Sequence, residues 1–143
     1  LQVEKSGSYF YVDELGYGVG QVLPIIADIA FTSGTHAFLI QQPELHLHPR
    51  AQAALGDVFL KSAEAGGAFV IETHSDFIID RYRLKHKQSD NSPKSQIIYF
   101  EKSEDGTNQA HEIELNSDGT MGDIPDSYRS FFLNESIDKF ENL

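Results

Sequence analysis

The chain has 143 residues, enough for one hydrophobic core and too few for two domains of ordinary size. Its formal net charge of -11 argues against a nucleic-acid-binding face of its own, because such faces depend on clustered Lys and Arg side chains. The absence of cysteine excludes disulfides and thiolate metal sites, and it fits a cytoplasmic location.

The start of the chain has neither an initiator Met nor the basic and apolar pattern of a secretory leader. We therefore expect Leu1 to lie inside a longer protein. The longest apolar run, from Val22 to Phe31, is interrupted by Asp28 and is shorter than the roughly 20 residues that span a bilayer. We expect no membrane segment.

The first predicted elements are a strand and a helix separated by glycines. SYFYVD (8–13) is aromatic and β-branched, which favours a strand. The apolar residues after the glycines cover nearly all sides of a helix, so we expect a helix that is buried in a larger body. This helix is predicted to begin near Gly20, to hold Pro24 in its first turn, and to end at SG (33–34).

The middle of the chain alternates between strand and helix. The predicted elements are the strand HAFLIQ (36–41), a helix over 50–65 closed by Gly66 and Gly67, the strand AFVIET (68–73), and a helix opening at HSDFIIDRYRL (74–84). Crossovers of this length predict a parallel sheet of buried strands with helices packed on it. Active sites in such sheets lie at the carboxyl ends of the strands, here near 41–44 and 73–75.

The C-terminal third is predicted to be a linker, a hairpin and a tail. In order, it comprises a polar linker or exposed loop (85–94), antiparallel strands (95–102 and 110–116) with Gly106 in their turn, a second turn (116–123), and a helical, partly docked tail (125–143).

The glycine turn has three glycines at alternate positions, Gly16, Gly18 and Gly20. It is neither the G-x-G-x-x-G of dinucleotide-binding folds nor a Walker A loop, since no Gly-Lys-Ser/Thr follows. Two interpretations remain open. The backbone N–H groups and the following helix N-terminus could accept an anion, or the glycines could form a tight turn that lets the helix pack closely.

The segment AFLIQQPELHLHP (37–49) is an apolar strand that ends in polar residues, as Walker B strands do. Gln41 and Gln42 occupy the places of a metal-binding carboxylate and a general base, and Glu44 is the nearest carboxylate. The alternative is a zinc site built on His46 and His48, but a structural zinc needs about four ligands. A simple turn before the next helix is the other interpretation of the two histidines.

The segment FVIETHSD (69–76) places His74 after a predicted strand, where a histidine can donate a hydrogen bond to a phosphate. The structural alternative is a polar residue that only caps the following helix. A Ser–His–acid hydrolase is a further alternative, although Ser75 is adjacent to His74 and lacks the G-x-S-x-G elbow.

In this order and at these spacings, the motifs resemble the C-terminal half of an ABC-type ATPase head, among the bacterial AAA-type ATPases related to the RecF, SMC and OLD (overcoming lysogenization defect) groups. The matching segments are the signature motif GYGVGQ (16–21), Walker B FLIQQPE (38–44), the D-loop region ELHLHP (44–49) and the switch-histidine segment IETHSD (71–76). The likeness covers residues 8–84, and the tail at 125–132 is similar to the end of one bacterial subgroup.

The resemblance implies an α/β fold, a P-loop NTPase of ABC type in which residues 1–143 form the C-terminal part of one ATPase domain. It implies ATP and Mg²⁺ as ligands, sandwiched between two heads. The signature residues would then cap the γ-phosphate held by the Walker A loop of the other head; they are Gly16, Gly18, Gly20 and Gln21. His74 would be a γ-phosphate sensor, and Gln41, Gln42 and Glu44 would stand at the catalytic positions.

The partners implied by the resemblance are a second copy or a second ATPase subunit, a nuclease effector, and DNA reached indirectly, in DNA repair or antiviral defence. The chain departs from the family pattern at Gln41 and Gln42, which can neither act as a base nor offset the charge of Mg²⁺. Glycine also replaces the signature serine, and Walker A and the Q-loop are not among these residues.

These departures leave the activity open. Hydrolysis could be slow, could use Glu44, could be lost in a natural pseudo-ATPase, or could be blocked by an engineered Glu-to-Gln change that traps ATP. The leading hypothesis is an ATP-dependent dimerising switch. The alternatives are a catalytically silent scaffold of the same fold and a metal-dependent hydrolase built on His46, His48 and Glu44.

Overall fold

The computed structural model of the protein describes residues 2–5, 7–11, 14, 16–32, 36–103, 105–128 and 130. The chain divides into two compact units, residues 1–93 and residues 94–143. In chain order the elements are β1 (Gln2–Lys5), β2 (Ser8–Tyr11), α1 (Tyr17–Phe31), β3 (Ala37–Gln41), α2 (Pro49–Glu64), β4 (Ala68–Glu72), α3 (Asp76–Lys87), β5 (Gln96–Lys102) and β6 (Asn108–Glu114).

The first unit opens with an antiparallel hairpin of β1 and β2, in which Lys5 lies opposite Ser8 and Gly7 occupies the turn with φ 78°. The sequence predicted β2, and the prediction is confirmed for residues 8–11; residues 12–13 lie outside the described residues. It missed β1, because QVEK is short and half of it is charged, so no apolar alternation reveals a strand.

Helix α1 begins at Tyr17 with Gly16 as its N-cap, so the predicted start near Gly20 is wrong by about one turn. The glycines misled the prediction because glycine is a poor residue for a helix interior but is tolerated in the first turn. Pro24 therefore lies inside the helix, where its missing N–H leaves the carbonyl of Gly20 without its usual intrahelical donor. The predicted stop at 33–34 lies outside the described residues.

Strands β3 and β4 pair in parallel, with Gln41 opposite Glu72 at their carboxyl ends, and helix α2 connects them. The predicted parallel sheet is confirmed, and the bounds of β3, α2 and β4 differ from the predicted ones by one residue. His48 caps the N-terminus of α2, and Pro49 takes the first helical position, where no N–H is needed.

The core of the first unit forms where α2 and α3 pack on one face of these strands. Its buried side chains are Leu55, Phe59 and Ile78. Partly buried apolar residues from the helices, the strands and the turn after β3 surround them, namely Val22, Ile25, Ile29, Ile40, Leu47, Phe69, Ile71 and Tyr82. Burial of such side chains contributes about 25 cal/mol per Å² of apolar surface removed from water, which holds these elements together.

The opposite face of β3 and β4 is uncovered within the described residues. Leu39 is 82% exposed and Val70 is 66% exposed, although the strands were predicted to be buried on both faces. Phe31, at the end of α1, is exposed as well. The difference arises because the helices of this unit form a single layer and therefore cover only one side of the strands.

Helix α3 continues to Lys87, three residues beyond its predicted end, so the predicted linker at 85–94 is wrong at its start. His86 is 3% exposed, and its Nε2 lies 2.9 Å from the carbonyl oxygen of Pro93. The basic residues that suggested a solvated loop instead stand in the last helical turn, where positive charge suits the helix dipole.

The second unit contains the predicted antiparallel hairpin of β5 and β6. Its two turns repeat the tripeptide Asp-Gly-Thr, at 105–107 and 118–120. In each turn the Asp Oδ1 accepts the Thr backbone N–H at 2.9 Å, and the glycine has a positive φ, 85° at Gly106 and 77° at Gly119. The side-chain hydrogen bond from Thr107, followed by its backbone N–H, lowers the pKa of Asp105.

The tail is described only as far as residue 130, so the predicted helix over the following residues lies outside the described part. Tyr128 is partly buried, and its ring meets that of Tyr99 edge-on with centroids 5.2 Å apart. This part of the tail is docked on the hairpin, as the sequence predicted.

Candidate functional site

The carboxyl ends of β3 and β4 bring together polar residues that are about 30 positions apart in sequence. Gln41 Nε2 donates a hydrogen bond to Glu72 Oε2 at 3.0 Å, and the two residues are neighbours in the parallel register. The backbone N–H of Gln42 donates to the carbonyl oxygen of Glu72 at 2.8 Å. The ladder thus extends one residue past β3 and holds Gln42 at the strand edge.

The turn after β3 is built from strained backbone. Gln42 and His46 have positive φ values of 44° and 61°, a conformation that side chains other than glycine rarely adopt. Such residues cost on the order of 1–3 kcal/mol each and cluster at functional sites when the surrounding structure holds them in place. This turn is therefore a candidate for a function that needs its shape.

Glu44 lies inside this turn and is only 8% exposed. Its Oε1 accepts the backbone N–H of His74 at 2.7 Å. Its Oε2 is buried and has no hydrogen-bond partner in the described part of the chain. The carboxylate therefore ties the turn after β3 to the segment after β4 and positions His74.

We expect Glu44→Ala to destabilise the fold by about 1–3 kcal/mol, because the partly buried N–H of His74 would lose its acceptor. Glu44→Gln retains an acceptor oxygen at the same distance from the backbone. Its free energy of unfolding should fall by less than about 1 kcal/mol, the typical contribution of a neutral hydrogen bond. Urea unfolding of both variants measures the difference. Equal stability losses in the two variants would contradict the acceptor role of Glu44, and loss of ATP turnover by the complete assembly in Glu44→Gln with stability unchanged would point to a base.

A second link runs through Gln52 of α2, which the sequence analysis missed. Ser75 caps α3 by accepting the N–H of Ile78 at 3.2 Å, and its hydroxyl donates to Gln52 Oε1 at 2.7 Å. Gln52 Nε2 in turn donates to the carbonyl oxygen of Leu47 at 2.9 Å. Gln52 thereby fixes both loops of the site to α2, and no local pattern in the sequence marks it.

The side chain of His74 is exposed at this edge, while its backbone N–H is held by Glu44. Ser75 is buried and serves as the helix cap, so its hydroxyl is already engaged by Gln52 and by the backbone of α3. This engagement leaves the Ser–His hydrolase alternative without a poised nucleophile.

The three glycines of the turn before α1 have different surroundings. A Cβ on Gly18 would lie 2.5 Å from the carbonyl oxygen of His46, so this position allows close packing of α1 on the turn after β3. A Cβ on Gly16 or Gly20 would meet nothing within 4 Å. The tight-turn interpretation therefore applies to Gly18, and the open positions are the ones that a ligand could approach.

Tyr17 strengthens this packing, because its ring meets the His46 ring edge-on with centroids 5.0 Å apart. The glycine turn thus contacts the turn that follows β3. Gln21, the other predicted signature residue, is exposed one turn further along α1.

The histidines of the H-x-H motif have separate roles. His48 Nδ1 accepts the backbone N–H of Arg50 at 3.3 Å, as an N-cap residue does. Within the described ranges, no three His, Asp or Glu residues come together as a group that could hold a metal ion. The zinc hydrolase hypothesis receives no support from this geometry.

A cavity of about 300 Å³ opens between α1 and β3. It is lined by Ile25, Asp28, Phe38, Leu39, Ile40 and Gln41, which include no Lys or Arg. A phosphate chain needs cationic or backbone N–H donors, so this largely apolar cavity is not suited to hold one by itself.

The parallel strands with polar carboxyl ends, the helix that starts in glycines and the strained turn after β3 together form the candidate site. A family model whose description names an AAA domain, the AbiEii toxin and type IV toxin–antitoxin systems matches residues 1–80. Because this match covers more than half of the 143 residues, the chain belongs to that AAA-domain family.

A similar solved structure comes from a study described as "Structural biochemistry of ATP-driven dimerization and DNA stimulated activation of SMC ATPases". The two chains superpose with a TM-score of 0.58 and share 15% sequence identity, over 92% of this chain and 67% of the other. At this identity the likeness shows the fold alone, and it confirms the predicted fold class. No curated protein matches the sequence significantly. No helix in the described residues is long and apolar enough to cross a membrane.

Proposed function

We propose that the chain is the signature-bearing part of an ATP-dependent dimerising switch, in which ATP and Mg²⁺ are held between two ATPase heads. The observation that carries this proposal is that the glycine turn packs on the strained turn after β3, to which Glu44 also ties the backbone of His74. We propose further that residues 1–143 form the C-terminal part of one such ATPase domain.

The N-terminus of α1 is suited to cap a phosphate that another segment holds. Gly16 supplies no side-chain cap, and the first turn contains no acidic residue, so the positive end of the helix dipole is not neutralised there. The open space at Gly16 allows phosphate oxygens to approach the N–H groups at the start of the first turn, and the missing side chain at Gly20 keeps that approach clear. Gln21 follows one turn later, where its exposed amide could contact the same nucleotide.

The residues at the carboxyl ends of β3 and β4 would have separate roles. His74 would donate a hydrogen bond to the γ-phosphate, and Gln42 would orient the attacking water through its amide without removing a proton from it. The oxygens of Gln41 and of the neighbouring carboxylate are the hard ligands that Mg²⁺ prefers, so the residues present fit the metal. Bound Mg²⁺ would supply neutralisation of the phosphate charge.

The charge of the chain bears on the partners that we propose. A net charge of -11 makes direct binding to DNA unfavourable, so DNA would be reached through another segment or subunit, such as a nuclease effector. The uncovered face around Leu39 and Val70 is apolar enough to pack against a further layer of the ATPase domain. The setting we propose is cytoplasmic DNA repair or antiviral defence.

A second candidate function is a catalytically silent scaffold, and the observation that favours it is the pair Gln41 and Gln42 in place of two acids. The two functions differ in their response to nucleotide. In the complete ATPase assembly, with its Walker A loop, ATP should convert single heads into dimers while ADP should not. Light scattering after size exclusion measures this, and indifference to ATP would favour the scaffold.

We expect His74→Ala to lower ATP turnover by about 100-fold, because a donor to the developing phosphate charge is lost. If the parent does not turn over, ATP-dependent dimerisation should weaken instead. The unfolding temperature should hardly change, since the side chain is exposed. His36→Ala is the matched control, because His36 is also exposed but precedes β3 at the opposite end of the strands. A large loss of stability in His74→Ala would make it a structural histidine.

A further inference from the structure

At the carboxyl edge of the sheet, β3 lacks the expected carboxylate, but the neighbouring strand β4 carries one. Gln41 ends β3 where the family pattern carries a metal-side acid, and Glu72 ends β4 directly opposite it. The side chains of both residues are exposed on the same face of the strands, the one that also presents Leu39 and Val70. The sequence motif alone conceals this carboxylate because it lies 31 residues away.

The contact between the two side chains orders the carboxylate. Gln41 Nε2 donates to Glu72 Oε2 at 3.0 Å, which leaves Glu72 Oε1 and the amide oxygen of Gln41 without a donor in the part of the chain that the structure describes. The backbone on both sides is fixed as well, because the carbonyl of Glu72 accepts the N–H of Gln42 at 2.8 Å. Two oxygens, one anionic and one neutral, therefore stand side by side.

Glu72 forms no ion pair with a basic side chain in the described ranges. The ion pairs of Arg81 with Asp57, Arg83 with Asp80, and His111 with Glu101 do not reach it. An ordered carboxylate without a basic partner, beside a second oxygen ligand, is the arrangement that attracts a divalent cation.

We propose that Glu72 of β4 provides the anionic oxygen on the metal side of the nucleotide, and that Gln41 is the positioning residue that holds this carboxylate. The carboxylate that the motif lacks on β3 is thus supplied by the neighbouring strand β4, and Mg²⁺ still meets one negative charge. This inference rests on the proposed function, since the metal arrives with ATP.

The test uses Mn²⁺ as a spectroscopic substitute for Mg²⁺ in the complete ATPase assembly with a non-hydrolysable ATP analogue. Electron paramagnetic resonance measures the dissociation constant of the nucleotide-bound Mn²⁺. We expect Glu72→Gln to weaken Mn²⁺ binding by at least about tenfold. Mutation of residues that only support a metal ligand typically costs 10–100-fold in affinity, and loss of a ligand should cost at least as much. Glu112→Gln removes the same charge from the exposed strand β6 and should leave the constant unchanged.

A variant that exchanges the two residues shows whether the loss in Glu72→Gln comes from the missing carboxylate or from another effect of that substitution. Gln41→Glu combined with Glu72→Gln returns one carboxylate to the pair on the other strand, and binding should recover to within about threefold of the parent, well inside the loss expected for a missing ligand. A swap that binds as weakly as Glu72→Gln alone would overturn the proposal. So would a Glu72→Gln variant that binds Mn²⁺ like the parent.

The outcomes separate this inference from the proposed function. A parent assembly that binds no Mn²⁺ with the ATP analogue would overturn the proposed function together with the inference that rests on it. A parent that binds the metal and is unaffected by Glu72→Gln overturns only the role of Glu72. Thermal unfolding should remain at the parent value in every variant, because both side chains are exposed.

Discussion

Replacing Gly20 with valine should abolish ATP-dependent dimerisation of the assembled ATPase. The space around Gly20 is open, and a branched side chain would fill the space through which a partner-held phosphate has to approach the N-terminus of α1. Loss of a buried, hydrogen-bonded charge at an interface costs about 2–5 kcal/mol, so the dimer should weaken by at least about 30-fold. Light scattering in ATP measures the loss, and ATP binding by single heads should be retained.

Ala30→Val is the control for this prediction, because it places the same side chain at an exposed position further along α1. Its dimerisation should match the parent. If Gly20→Val lowers nucleotide binding by single heads and dimerisation equally, Gly20 does not act on a partner's nucleotide.

Gly18→Ala should lower the stability of the fold, in contrast to substitutions at Gly20, because Gly18 has a packing role in the same turn. The Cβ of Gly18→Ala would lie 2.5 Å from the carbonyl oxygen of His46, so α1 would have to move away from the turn after β3. Such overpacking typically costs about 1–3 kcal/mol, which urea unfolding would detect. Gly20→Ala has no such neighbour and should unfold like the parent.

Replacing Gln42 with glutamate should raise ATP hydrolysis by roughly 10²-fold or more, because general-base assistance typically contributes 10²–10⁴-fold. Glutamate has the shape of glutamine and keeps the backbone N–H that donates to Glu72 at 2.8 Å. The change therefore adds a base at the strand edge and leaves the turn intact. Phosphate release by the complete assembly measures the rate.

Gln109→Glu adds the same charge to the exposed strand β6 and should not change the rate. Gln41→Glu is a weaker test of the base, because it would bring a second carboxylate to about 3 Å from Glu72, the separation at which like charges disfavour ionisation. A Gln42→Glu variant that is no faster than the parent would favour the scaffold function.

The sequence by itself determined the class of the protein and the order of its elements from β2 onward. Apolar runs of five or six residues bounded by polar ends, and helical spacing between them, located β3, α2 and β4 to within one residue. These signals are local, since periodicity and turn residues depend only on neighbouring positions. The order of weak motifs along the chain then sufficed for the family, which the match over residues 1–80 confirms.

The tertiary structure alone decided which residues of the motifs meet. It showed that Gly18 packs against His46 while Gly16 and Gly20 remain open, although the three are alike in sequence. It also turned Glu44 inward to His74 and set Gln41 beside Glu72, contacts that span 30 and 31 residues. Strand register and the packing of a helix on a turn create these contacts, and neither is encoded in the spacing of nearby residues.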